Sequence, residues 1–96
     1  MKRRAARVDA NQPAIIAALR KCGVRVVSLA AIGNGCPDLL CGFRGEWHVL
    51  EVKDGSKPPS ARKLTDLEET FINTCPAPVY VVKSVDEALK AIGAIR

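Results

Sequence analysis

Asp38, Glu51 and Lys53 are the residues of this chain whose types and spacing suit chemistry. Asp38 opens the run Asp38–Phe43 (DLLCGF), and Glu51 and Lys53 close the run Glu46–Lys53 (EWHVLEVK). Both runs read as short strands, and Arg44-Gly45 between them reads as a tight turn in which glycine supplies positive φ. A two-residue loop pairs Phe43 with Glu46, Cys41 with His48, Leu39 with Leu50 and Asp38 with Glu51. Directly opposed residues have Cβ atoms about 4.5–5.5 Å apart, so two carboxylates there repel. A hard divalent cation turns that repulsion into coordination, because Mg²⁺ and Mn²⁺ favour carboxylate oxygens. Alternation puts Lys53 on the face of Glu51, with Leu40, Val49 and Trp47 running away from them. A carboxylate-bound cation beside an ammonium suits phosphodiester hydrolysis. The cation polarises a phosphoryl oxygen and lowers the pKa of a bound water, and the lysine positions that water or stabilises developing charge. Pro-Asp and Glu-x-Lys are each common in ordinary strands; their opposition in one hairpin favours the functional reading.

Other elements must hold this hairpin. Asp9–Lys21 reads as a first helix, with Asp9 or Asn11 as cap, Pro13 in its first turn and an apolar stripe of Ile15, Ile16, Leu19 and Cys22. Val24–Leu29 is a β-branched strand, and Ala30–Pro37 a connection whose Gly33 and Gly35 allow a close backbone approach. Asp54–Lys63 is a polar, Pro-rich loop next to Lys53. Its Lys57, Ser60, Arg62 and Lys63 suit phosphate contacts, as do Arg3, Arg4 and Arg7 in the basic arm of residues 1–8. Thr65-x-x-Glu68 is a capping box for a second helix to about Thr74, and Ser84-x-x-Glu87 is one for a last helix ending before Gly93. Pro78–Val82 reads as a strand between them, so a βαβ crossover makes it parallel to Glu46–Lys53. The expected fold is α/β, a small mixed sheet flanked by helices in the order αβββαβα, as one domain over residues 1–96.

Pro37-Asp38 with Glu51-Val52-Lys53 matches the PD-(D/E)xK pattern. The fuller text, GNGCPDLLCGFRGEWHVLEVKDG followed by KPPSARKLT, resembles the compact stand-alone VRR-NUC proteins of bacteriophages and bacteria. The likeness runs from Arg7 to about Ile92. It implies a restriction-endonuclease-like core and Mg²⁺- or Mn²⁺-dependent DNA cleavage by Asp38, Glu51 and Lys53, with the Val52 backbone carbonyl as a further metal ligand. It also implies a homodimer acting on branched or forked DNA, as Holliday-junction resolvases do, in replication, repair or recombination. Nucleases of this superfamily often carry another acidic residue on the first helix. This chain has no glutamate before Glu46, which leaves Asp9 and Gln12 as stand-ins; capping is the first expectation for Asp9. Relatives commonly carry glutamine where Glu68 falls, which makes Glu68 an accessory candidate behind its capping role.

Composition agrees without deciding. A net charge of +5 over 96 residues favours a polyanionic partner, and 48% apolar residues suit a globular chain. No apolar run suits a membrane span or a secretory signal, so the cytoplasm of a bacterium or phage-infected host is expected. The four cysteines form no CxxC pair, and Cys22 and Cys41 read as small buried hydrophobes. Trp47 reads as packed against a helix or a second subunit, and the lone histidine, His48, lies on the face away from the carboxylates. Two rivals stand beside the nuclease: a non-catalytic DNA-binding module of the same fold, and a metal-dependent phosphatase of small substrates.

Overall fold

A computed structural model describes residues 8–96, so the arginines at positions 3, 4 and 7 lie outside the described residues. The chain runs α1 (Gln12–Lys21), β1 (Arg25–Ser28), β2 (Leu39–Phe43), β3 (Glu46–Val52), a 3₁₀ turn (Pro59–Arg62), α2 (Asp66–Thr74), β4 (Tyr80–Val82) and α3 (Val85–Ala91). The sheet is mixed: the order is β1-β2-β3-β4, antiparallel except for the parallel β3/β4 pair. This is the expected α/β succession, with each strand a residue or two shorter than its apolar run.

The β2–β3 register is the expected one from Phe43↔Glu46 to Leu39↔Leu50. Arg44 and Gly45 both have positive φ, +50° and +82°, which gives the two-residue loop a twist that matches the strands. Alternation then sorts the sheet into two faces. Val26, Leu39, Cys41, Leu50, Val52 and Val82 share one face, and with Ile15 and Leu19 of α1 and Ala88 of α3 they form the buried core. Glu51, Val49 and Trp47 point the other way.

Several local expectations fail for identifiable reasons. Neither Asp9 nor Asn11 caps α1 with its side chain. Asn11 Nδ2 instead donates to the carbonyls of Lys53 (3.1 Å) and Lys83 (3.2 Å), fastening the helix start to the ends of β3 and β4. Cys22 is exposed because it follows the last turn of α1, past the core. The Ser84 box is half made: Ser84 Oγ accepts Glu87 N–H, but the Glu87 carboxylate takes Lys83 N–H instead of closing on Ser84. Trp47, expected against a helix or a second subunit, is 63% exposed within the described chain.

Gly35 does approach another backbone closely, that of α2. A Cβ at Gly35 would collide with the carbonyl carbon and oxygen of Leu67, and its φ is +79°. Gly33 also has positive φ, +72°, but open space around it. Gly35→Ala is therefore expected to cost about 2–4 kcal/mol, combining left-handed strain with a backbone clash, and Gly33→Ala about 1–2 kcal/mol from strain alone. Urea unfolding of the two variants measures the difference; equal losses would mean that the seat of α2 does not depend on Gly35.

Candidate active site

Glu51 lies near the end of β3 on the face away from the core, yet it is only 2% exposed. Asp38 reaches it by a backbone irregularity. Asp38 N–H donates to Leu50 O (3.1 Å), although Leu50 is already the register partner of Leu39. Two residues of one strand thus address one of the other, a β-bulge at the aspartate. The expected direct opposition of Asp38 and Glu51 is accordingly replaced by a slipped one. Val52 N–H, left without a partner on the β2 backbone, donates to Asp38 Oδ2 at 2.7 Å. Main-chain N–H and C=O of one strand residue leave the same edge, so the Val52 carbonyl faces the Asp38 side as well.

Lys53 and Glu68 complete the group. Lys53 Nζ lies 2.7 Å from Glu68 Oε1 and 3.5 Å from Glu51 Oε2. Thr65 and Glu68 form the full capping box of α2, and the same Glu68 Oε1 accepts Thr65 N–H at 2.8 Å. Capping and site contact are therefore one arrangement: the box aims the carboxylate at Lys53. Gly35 on the Leu67 backbone sets the distance of α2 from the sheet.

These residues line a cleft of about 420 Å³, which Asp9, Lys57 and Lys63 also border. Asp9 stands 3.8 Å from Lys57 Nζ. Gln12 is buried and does not line the cleft; its Oε1 has no hydrogen-bond partner among the described residues. Arg62 donates to Gly55 O (3.2 Å) and faces a different cavity, of about 650 Å³, between α1 and the start of α3. Ser60 is exposed and lies outside the cleft lining. Of the loop residues expected to hold phosphate, the fold brings Lys57 and Lys63 to the site and leaves Ser60 and Arg62 away. Asn11 is the positioning residue that sequence reasoning missed: an Asn before Gln-Pro reads locally as a cap, and its true partners are more than forty residues away.

Electrostatically the cleft is overloaded with acid. Burial, then a hydrogen bond with Glu68 and the charge of Asp38, push Glu51 up to about 9. Burial also raises Asp38, against the Val52 N–H and Glu51 hydrogen bonds. Burial would raise Glu68 too, but its bonds to Lys53 and Thr65 hold it below the ordinary range. For Lys53, burial works downward, and the Glu68 hydrogen bond and the charges of Glu68 and Glu51 outweigh it. Lys53 is thus an ammonium at neutral pH and cannot act as a base there. Cys36 feels the same acids: burial and the charges of Glu51 and Asp38 raise its thiol, which suits a bystander rather than a nucleophile.

The donor set fits a hard divalent cation. It offers only oxygens (Asp38, Glu51 and the Val52 carbonyl), and it has an excess of negative charge that a cation would relieve. Among the described residues no three His, Cys, Asp or Glu side chains form a metal cage by themselves. An ion here would keep several waters, as Mg²⁺ readily does. No family model, curated protein or solved structure matches the chain.

The sign of the pH dependence follows from Glu51. Its folded pKa lies above its unfolded one, so its contribution is fully present below about pH 4.5 and is lost as pH rises toward 9. In EDTA, stability should fall between pH 5 and 9 by up to about 1.4 kcal/mol per pH unit. Glu51→Gln should flatten that fall and raise stability at pH 8. Mn²⁺ should stabilise the wild type more at pH 8 than at pH 6, since it competes with the proton. Denaturant titrations across this range check all three; a flat wild-type profile that matches Glu51→Gln would refute the buried-acid account.

Proposed function

We propose that this chain is a metal-dependent DNA endonuclease built on a restriction-endonuclease-like, PD-(D/E)xK core. The observation that carries the reading is the convergence of Asp38, Glu51 and Lys53, the three residues of the sequence motif, in one oxygen-lined cleft bordered by two further lysines. Asp38, Glu51 and the Val52 carbonyl would hold Mg²⁺ or Mn²⁺. When bound, such an ion would supply charge neutralisation and the acidification of a water. Val52 N–H fixes one Asp38 oxygen, and the hydrogen bond between Asp38 and Glu51 holds the two carboxyls side by side as donors. Lys53, kept cationic and steered by Glu68, orients the attacking water by donating to it and offsets charge that develops on the phosphate. Lys57 and Lys63 hold neighbouring phosphates, with Asp9 as the resting partner of Lys57. Asp9 and Gln12 supply no ligand in this reading, which requires one ion and not two. A domain of this size, with a longest extent of 39 Å, covers little DNA, so a homodimer with two clefts suits branched or forked substrates.

The test is cleavage of a DNA panel (single strand, duplex, fork, flap and four-way junction) with Mg²⁺, Mn²⁺ or EDTA. Wild type should cut one branched structure only with a divalent ion. Glu51→Gln and Lys53→Ala, checked for folding by circular dichroism, should each lose about 10²-fold or more in rate. Binding without cutting under any ion would leave the non-catalytic DNA-binding module. Hydrolysis of nucleotides or model esters with no dependence on DNA would favour the phosphatase, and cutting that survives Glu51→Gln would place the active centre elsewhere.

A further inference from the structure

The open face of the sheet carries a row of residues that the cleft does not use. Arg25 of β1, Gly42 of β2 and Trp47 of β3 stand side by side in register. Gly42 has no Cβ, and the indole occupies the room one would take: a Cβ there would lie 2.9 Å from Cζ3, 3.2 Å from Cη2 and 3.3 Å from Cε3 of Trp47. Three consecutive ring atoms at nearly equal distance mean that the six-membered ring lies across the glycine. Covering a strand glycine accounts for one side of the ring. It does not account for the other, since Trp47 remains 63% exposed. Beside it is a cavity of about 390 Å³ whose charged lining is Arg25, Arg44 and Glu46. Arg44 lies over the Phe43 ring, 4.9 Å from its centroid, at the hairpin tip.

An exposed aromatic plate in register with an arginine, Arg25, beside a shared cavity matches a nucleobase and its phosphate. The base stacks on the indole, and the cations take the backbone. Trp47 and Glu51 point from the same face of β3 and are four residues apart, about 13 Å along the strand. That span is roughly four nucleotides at stacked spacing and fewer when the strand is extended. A second copy of this chain fits the row less well. It would bury two guanidinium groups with Glu46 as the only acid in that cavity lining to pair with them.

We propose that Trp47 is a stacking platform for an unpaired base of the strand whose phosphodiester occupies the cleft, with Arg25 holding an adjacent phosphate. The proposal rests on the nuclease reading and names its substrate class: DNA with a single-stranded segment beside the cleavage point, as in a fork or flap. Uninterrupted duplex keeps its bases stacked on one another and gives the indole no free face.

Trp47 is the sole tryptophan, so intrinsic fluorescence reports on the platform directly. In EDTA, a short oligothymidylate and a fork should quench it to saturation, and a closed hairpin duplex should not. By anisotropy of labelled DNA, Trp47→Ala should weaken fork binding about tenfold and leave duplex binding unchanged, with Trp47→Phe recovering much of the loss. Arg25→Ala should reduce the salt dependence of fork binding. Absent quenching together with unchanged fork affinity in Trp47→Ala would overturn the proposal. So would a dimer that becomes monomeric in Trp47→Ala without loss of affinity per chain, which would give the face to a second copy. No turnover is needed for this test, so the two readings fail separately. Quenching that depends on Trp47 without any cleavage under Mg²⁺ retires the nuclease and keeps the platform. Fork cleavage indifferent to Trp47→Ala retires the platform alone.

Discussion

Three carboxyl groups gathered around one ammonium are the constraint on which this small fold turns. Glu51 is almost wholly buried, with Asp38, Glu68 and Lys53 as its charged neighbours. A buried charge without a partner costs several kcal/mol, and Lys53 answers for only one of the three. The surplus can be relieved by a proton on Glu51 or by a cation among the oxygens. A scaffold selected for stability alone would place an apolar residue at so buried a position. Instead each acid has its own restraint: Val52 N–H for Asp38, the Thr65 cap for Glu68, and the β3 backbone for Glu51 itself. Acids perturbed by burial and by one another in a cleft mark a candidate site.

The backbone solves the problem of reaching two acids from adjacent strands without setting them head-on. A regular ladder would oppose Asp38 to Glu51 and would spend Val52 N–H on a β2 carbonyl. The bulge at Asp38 shifts that donor to the aspartate side chain and leaves the Val52 carbonyl on the same edge. The site therefore sits where the hairpin ladder gives out, at the carboxyl end of β3 and beside the parallel β4. Ligands of open α/β sheets gather at such ends because regular hydrogen bonding stops there and main-chain groups become available. Asn11 closes the same region from the other side by bonding to the carbonyls of Lys53 and Lys83, both just beyond the strands.

What could be read from the sequence was what short-range rules determine. The turn Arg44-Gly45 and strict alternation fixed all five hairpin pairs, and Thr65-x-x-Glu68 located the start of α2. The helix between β3 and β4 required their parallel pairing. The acids and Lys53 were legible for the same reason: they lie within one hairpin. The rest depended on contacts between distant segments. A bulge shows only when a third strand is present to hold Asp38 through Leu29 N–H. Gly33 and Gly35 both allowed a close backbone approach, and only the seat of α2 decides that Gly35 makes it and Gly33 does not. The apolar stripe of α1 promised a buried Cys22, but the sheet beneath it ended first. Ser60 and Arg62 share a loop with Lys57 and Lys63, and only the 3₁₀ turn at Pro59–Arg62 decides which of them face the cleft.

The division of the sheet into two faces ties these observations to a way of working. Ile15 and Leu19 of α1 and Ala88 of α3 occupy one face completely, and that face supplies the whole buried core. On the opposite face α2 contributes no buried residue and touches the site through Glu68, and Asp9 and the loop carrying Lys57 and Lys63 border the cleft. Such economy leaves a strip running from the acids to the hairpin tip, with half-buried Leu40 and Val49 in between and Trp47 at its far end. A domain that builds its core on one side leaves the other open to solvent, and on the proposed function open to a ligand larger than the cleft. On the nuclease reading, that ligand is an extended strand: its scissile phosphate lies at Lys53, and its path is set by the direction of β3. The hairpin is then both the frame of the active centre and the track that leads to it, and its register, fixed by one two-residue turn, sets the spacing between them.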